Sequence, residues 1–368
     1  MAVNPKYSAY RGCLLGLAVG DAMGYTVDTK TWPQIQEDYG PNGLLGYDLC
    51  NGYADVTSHT QLAAFTCNGL LLGMTRGQVL GRMAPFVKYA EVGQKEWAIG
   101  QRRYDQPHRN YCWVFRVPEL RRRHCTDTRM LDTLNRVPLG TLEQPRNKYD
   151  GAGAIAAAVS VGLFADPKRM EQEEIDRLGA ETIAITHGSP LAFLPGAVIT
   201  HLISRLLRDR KTPLEEVIEE ALTALQEQFG HEYNQVKEVC ALVRRAMQLG
   251  NGGNLNYVEA LESLKCDTGA EVLAGAVYVS LVCRENFDEA MIAAVNHSGR
   301  SCAVASIAGA ILGARLGAEA LPEFYLECLE SAPALVDLAD DLIQGCPMVR
   351  DGKIFDGDWE QKYMYGEY

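Results

Sequence analysis

Apolar positions recur along this chain at three- and four-residue intervals, and few segments alternate with a period of two. Positions 62, 65, 66, 69, 70 and 72 form one such stripe, so the spacing predicts a helix over residues 60–74. Residues 12–23 are apolar with small residues interleaved, which predicts a buried helix able to approach a neighbour closely. Thr212-Pro213-Leu214-Glu215 carries a helix-start pattern: a Thr cap, Pro at the first helical position and acids in the first turn. That helix is expected to run to about 229, and another to cover 234–249, before Asn251-Gly252-Gly253-Asn254 breaks the pattern. Helices over 258–264, 268–283, 287–295, 303–316 and 321–343 follow.

Glycine and alanine concentrate at 12–24, 151–162 and 305–317, so these segments are expected to cross near the centre of the fold. No internal repeat or low-complexity linker divides the chain. The expectation is one all-α domain over 1–368, with an irregular polar excursion at about 95–149.

Composition narrows the function classes. With 47% apolar and 22% charged residues over 368 positions, the chain can bury a substantial core. A net charge of −12 argues against nucleic acid and anionic membranes as partners. The first eleven residues are polar, and the longest smooth apolar run, 151–165, is too short for a bilayer span. A cytoplasmic location is therefore expected. The eleven cysteines are scattered, with no Cys-x-x-Cys pair, and read as reduced, buried small hydrophobes.

The excursion holds Arg102, Arg103, Arg109, Arg116, Arg121, Arg122, Arg123 and Arg129. Guanidinium groups suit phosphate and carboxylate recognition, although a solvated face salt-bridged to nearby acids is the plainer reading. The aromatic, charged stretch 351–368 reads either as a docked tail or as an oligomer contact, so a homo-oligomer stays open.

Several motifs follow one another in order. Gly12 to Gly24 contains Gly20-Asp21-Ala22-Met23-Gly24. Thr57-Ser58-His59-Thr60-Gln61 comes next, then Val117-Pro118-Glu119-Leu120 and Gly140-Thr141-Leu142-Glu143-Gln144-Pro145. Gly151-Ala152-Gly153-Ala154 leads into Gly162-Leu163-Phe164, and Thr186-His187-Gly188-Ser189-Pro190 and Asn296-His297 to Gly309 complete the series. From about residue 8 to at least 317 the series resembles the ADP-ribosylglycohydrolases of the bacterial group related to dinitrogenase reductase-activating glycohydrolase.

The resemblance implies an all-α fold and hydrolysis of the bond between ADP-ribose and an acceptor by a pair of magnesium ions. It also implies where the metal-binding aspartates should stand, and there the chain departs. Ser58 and His59 replace the first pair, Arg300 and Cys302 the second, and the following hydroxyl position is Ala303. Magnesium demands oxygen ligands, and two dications need carboxylates to balance them. Thr57 and Ser301, the retained ligands, are neutral, and Arg300 adds a positive charge that opposes a dication at close range. No magnesium pair, and no other cofactor, is expected. The Met-Arg pair that the family keeps beside its substrate becomes Ala156-Ala157, and an expected Pro becomes Ser160. Asp28, seven residues after Asp21, keeps a carboxylate where the family has Glu and is the one catalytic candidate. Asp21 is expected to tie helix ends together.

The expected cavity set is thus Asp28, Thr57, Ser58, His59, Arg300, Ser301 and Cys302. A zinc site on His59 and Cys302 with Asp28 or His297 is one alternative. Another is a Cys302 nucleophile with His59 as base, its thiol pKa depressed by Arg300. His187 and His297 read as structural. Arg300 either pairs with Asp28 or holds a phosphate or carboxylate ligand. The functional expectation is a catalytically degenerate family member binding an ADP-ribose-like ligand, an ADP-ribosylated protein or a protein partner. Its rivals are a hydrolase working through Asp28 with altered or no metal, and an interaction protein that uses the arginine strip and binds no nucleotide.

Overall fold

The computed structural model describes residues 4–102, 110–124, 128–252, 256–350 and 352–368. Arg103, Arg109 and Cys125 lie outside the described residues. Among those described there are seventeen α-helices and no strand, and only two isolated bridges, Cys50 with Tyr53 and Gly151 with Thr268. In order, the helices begin with α1 (Pro5–Gly24), α2 (Trp32–Tyr39), α3 (Ser58–Leu80), α4 (Phe86–Gly100), α5 (Thr128–Leu134) and α6 (Ala157–Phe164). Then come α7 (Gln172–Ala184), α8 (Pro190–Arg208), α9 (Leu214–Phe229), α10 (Val236–Asn251), α11 (Tyr257–Leu264) and α12 (Gly269–Val282). The last are α13 (Phe287–Val295), α14 (Ser301–Leu316), α15 (Glu323–Glu327), α16 (Ala332–Gln344) and α17 (Gly357–Glu360).

The centre is the antiparallel pair α1 and α14. Gly12, Gly16 and Gly20 of α1 face Gly313, Gly309 and Ala305 of α14. A Cβ added at these three glycines would fall 2.3, 2.2 and 2.0 Å from the opposing carbonyl oxygens. Only hydrogen fits at that separation, which explains the small-residue runs at 12–24 and 305–317 and makes α1 and α14 the innermost helices. Because the pair is antiparallel, the C-terminal end of α1 meets the N-terminal end of α14, with Gly24 packed on the Cys302 backbone. The third run, 151–162, packs where α6 crosses α8, with Gly162 against Ile203.

Local sequence accounts for the helix ends. Asn4 Oδ1 accepts the Lys6 N–H, Thr57 caps α3, and Thr268 forms a capping box with Glu271 at α12. Among the described residues one helix, α8, is long and apolar enough to cross a membrane, and 78% of that window is buried inside this fold.

Two sequence expectations need correction. The α9 helix starts at Leu214 with Pro213 as its extended cap, while Thr212 donates its hydroxyl to Asp209 Oδ2 at 2.7 Å. The stretch 321–343 is two helices, because Pro333 has no N–H to continue a ladder and serves to start α16. Within 151–165 the helix proper begins only at Ala157, after a series of turns.

In the polar excursion, two short 3₁₀ turns (Trp113–Arg116 and Pro118–Arg121) and α5 follow α4. Its arginines are dispersed among internal partners: Arg102 donates to Asn135, Arg116 to Glu367 and the Gly366 carbonyl, and Arg122 to Asp55 and Glu330. Arg121 lies over the Phe115 ring and Arg129 over Tyr149, while Arg123 is exposed. The end of the chain is a docked tail: Trp359 Nε1 donates to Thr75 Oγ1 at 2.9 Å, Tyr363 donates to Asp341 at 2.6 Å, and Tyr368 stacks on Trp113. The ten described cysteines are all free; Cys50 is exposed, Cys328 and Cys346 are half-buried and the rest are buried.

Candidate functional site

The N-termini of α3 and α14 converge beside the C-terminal end of α1 and the turn 151–153, enclosing a cavity of about 340 Å³. Asp21 sets the position of α3. It is fully buried; Oδ2 accepts the N–H groups of Thr57 (2.8 Å) and Thr60 (3.0 Å) and the Thr60 hydroxyl (2.6 Å), and Oδ1 accepts the Thr57 hydroxyl. The carboxylate thus fastens the first turn of α3 to α1, as the sequence suggested.

Asp28 does the same for α14, its Oδ1 accepting the Cys302 N–H at 2.8 Å, but it also lines the cavity. Burial raises the Asp28 carboxyl above the usual carboxylate range, against the opposing pull of His59, the Cys302 N–H and Arg300.

Thr57, Ser58 and His59 form the α3 wall. The Thr57 hydroxyl donates to Asp21 and accepts the His59 N–H at 3.4 Å. His59 is 7% exposed, and its Nδ1 has no hydrogen-bond partner among the described residues. On the α14 wall, Cys302 donates its thiol to the Asp21 carbonyl at 3.4 Å. Arg300 sits at the rim, with Nε 2.9 Å from Asp267 Oδ1. It therefore pairs with Asp267 and not with Asp28, the first of the two alternatives the sequence left open for it. Ser301 is also a correction: it is fully buried, donates to the Val295 carbonyl at 3.0 Å and does not line the cavity.

The lining also includes residues outside the expected cavity set: Tyr25, His124, Thr128, Arg129 and the turn Gly151-Ala152-Gly153. The Tyr25 and His124 rings meet edge to face with centroids 5.0 Å apart. Burial lowers His124 from the ordinary histidine value, although Asp55 pulls it upward. The Arg122 bridge between Asp55 and Glu330 fixes the loop that carries His124. The sequence offered Arg129 in the arginine strip and the Gly151 turn in the motif series, but nothing local placed them, Tyr25, His124 or Thr128 at this cavity.

The zinc and thiolate alternatives find little support in this geometry. Among the described residues no group of three or more His, Cys, Asp or Glu side chains is placed to hold a metal ion. His297 is fully buried, bonded through Nε2 to the Ala294 carbonyl and through Nδ1 to the Gly299 N–H, and burial lowers it to about 4. Burial, with Asp28 and Asp21 nearby, pushes the Cys302 thiol well up, opposite to the expected depression by Arg300. His187, outside the cavity lining, shares a 2.8 Å hydrogen bond with Thr186. Ala156 and Ala157 are buried, and Ser160 donates to the Ala63 carbonyl at 2.8 Å, fastening α6 to α3.

A family model described as ADP-ribosylglycohydrolase matches residues 3–352. No curated protein sequence matches the chain. Among solved structures, one titled "ADP-ribosylglycohydrolase-related protein complex" is similar with a TM-score of 0.58 and 21% identity, covering 92% of this chain and 98% of that one. At that identity the likeness shows the shared fold.

Proposed function

The chain belongs to the ADP-ribosylglycohydrolase family, and from that premise we propose that it binds an ADP-ribose-like ligand in this cavity without a magnesium pair and without the family hydrolysis. The observation that carries the reading is the donor set. Among the described residues lining the cavity, Asp28 is the one carboxylate, and one of its oxygens already accepts the Cys302 N–H. Two magnesium ions bring four positive charges and ask for several oxygen ligands each. Ser58, His59, Arg300 and Cys302 supply no carboxylate at the positions the resemblance assigns to the metal-ligand aspartates, so the residues present do not fit the pair.

The same cavity suits an anionic ligand. Arg129 and Arg300 line it, and guanidinium groups pair with phosphate oxygens in a fixed fork. Asp28 is placed to accept a sugar hydroxyl. The test is a thermal-shift titration with ADP-ribose after chelation of divalent ions, beside an assay for release of ADP-ribose from a modified acceptor. Stabilisation without turnover is the expected result, and magnesium-dependent turnover would overturn the reading.

The raised Asp28 carboxyl favours one second reading, a metal-independent hydrolase in which Asp28 activates water. That reading requires turnover in chelator that Asp28→Asn abolishes.

A further inference from the structure

We propose that the end of the cavity between the N-termini of α3 and α14 is an oxyanion subsite, taking a phosphate group on the His59 imidazole, the Ser58 wall and the Arg300 guanidinium. The inference deepens the ligand-binding reading above and rests on it for the identity of the whole ligand. Where the resemblance implies cations on carboxylates, it places an anion on donors.

Three independent observations lead here. The first is that the start of α3 and the start of α14, helices of 23 and 16 residues, meet around one cavity. Asp28 takes the Cys302 N–H of α14, and Asp21 and Thr57 take the Thr57, Thr60 and His59 N–H groups of α3, so a ligand here meets the Ser58 and His59 side chains rather than these backbone donors. The second is His59 itself. It lines the cavity at 7% exposure with Nδ1 lacking a partner among the described residues. A buried ring nitrogen left unpaired is costly, and a ligand oxygen in the cavity would recover that cost by orienting the ring as a donor. The third is local charge. In a chain of net charge −12, Arg300 and Arg129 face this cavity against the single carboxylate of Asp28. Arg300 keeps its Nε on the exposed Asp267, leaving the remainder of the fork for a ligand at the rim.

The probe is inorganic phosphate in chelator-treated protein, read by nitrogen-15 imidazole signals and by equilibrium binding. The subsite predicts saturable shifts of the His59 ring signals that chloride at equal ionic strength does not reproduce. It predicts that His59→Ala weakens phosphate binding roughly 10-fold or more, the loss of a hydrogen bond to a charged group. It also predicts that Asp28→Asn tightens phosphate binding by removing the opposing charge. No movement of the His59 signals, or the same movement with chloride, would overturn the subsite even if a variant failed to fold. The two proposals separate cleanly. Phosphate bound at His59 with no ADP-ribose binding keeps the subsite and removes the proposed function. ADP-ribose bound equally by wild type and His59→Ala, with the His59 signals unmoved by phosphate, does the reverse.

Discussion

Two aspartates on α1 and just beyond it do different work, and the difference decides what the site is. Asp21 spends its oxygens on Thr57 and Thr60. Its removal strands buried donors at the start of α3, so Asp21→Ala should cost about 3–5 kcal/mol in urea unfolding; a change under about 1 kcal/mol would contradict the role. Glu96 offers a test away from the cavity. It is buried and accepts the N–H groups of Tyr111 and Cys112, yet burial raises it from 4.5 to about 7. Because the folded-state value is the higher one, the folded protein holds the extra proton between those values. The stability this contributes is full below pH 4.5 and is lost as pH rises through about 7. Unfolding free energies between pH 5 and 8 should therefore fall in wild type relative to Glu96→Gln, by on the order of 2–3 kcal/mol. A pH-independent difference would contradict the assignment.

At the scale of elements, the α1–α14 contact is the least forgiving. Gly309→Ala places a Cβ 2.1 Å from the Gly16 carbonyl oxygen, inside backbone with no flexible side chain to yield. It should destabilise the protein by about 1–3 kcal/mol or more by overpacking, read by thermal or urea unfolding; an unchanged midpoint would mean the helices sit farther apart. The all-α class and most helix positions were legible because apolar spacing marks one face of a surface helix, as in α10. The α13 bounds match the expected 287–295, and α3 gains two residues at its start and six at its end. The small-residue runs announced close approach without naming partners, since packing complementarity is not written in either segment alone. The errors have separate causes: Thr212 bonds Asp209 instead of capping α9, Pro333 starts a new helix, and Ser301 bonds the Val295 carbonyl. At the site, the expected residues Asp28, Thr57, Ser58, His59, Arg300 and Cys302 meet in one cavity. Tyr25, His124 and the 151–153 turn were not placed at the site because residues so far apart in the chain meet only through the tertiary fold.

The whole molecule holds the excursion and the chain end against the helical core. Trp359 is buried and donates to Thr75, and Tyr363 reaches Asp341, so the tail stabilises α3 and α16 together. Trp359→Ala should cost about 3–5 kcal/mol, and chemical denaturation would contradict the docking if stability stayed unchanged. Where the starts of α3 and α14 meet, this scaffold presents a cavity lined by Ser58, His59, Arg300 and Cys302, at the positions the resemblance assigns to metal-ligand aspartates. The account's central claim is that this cavity binds an ADP-ribose-like ligand with no need of magnesium. Calorimetric titration of ADP-ribose into the purified protein, once in chelator and once in excess magnesium, tests it most directly. The account predicts binding of equal affinity in both buffers; binding that appears only with magnesium, or no binding in either, would contradict it.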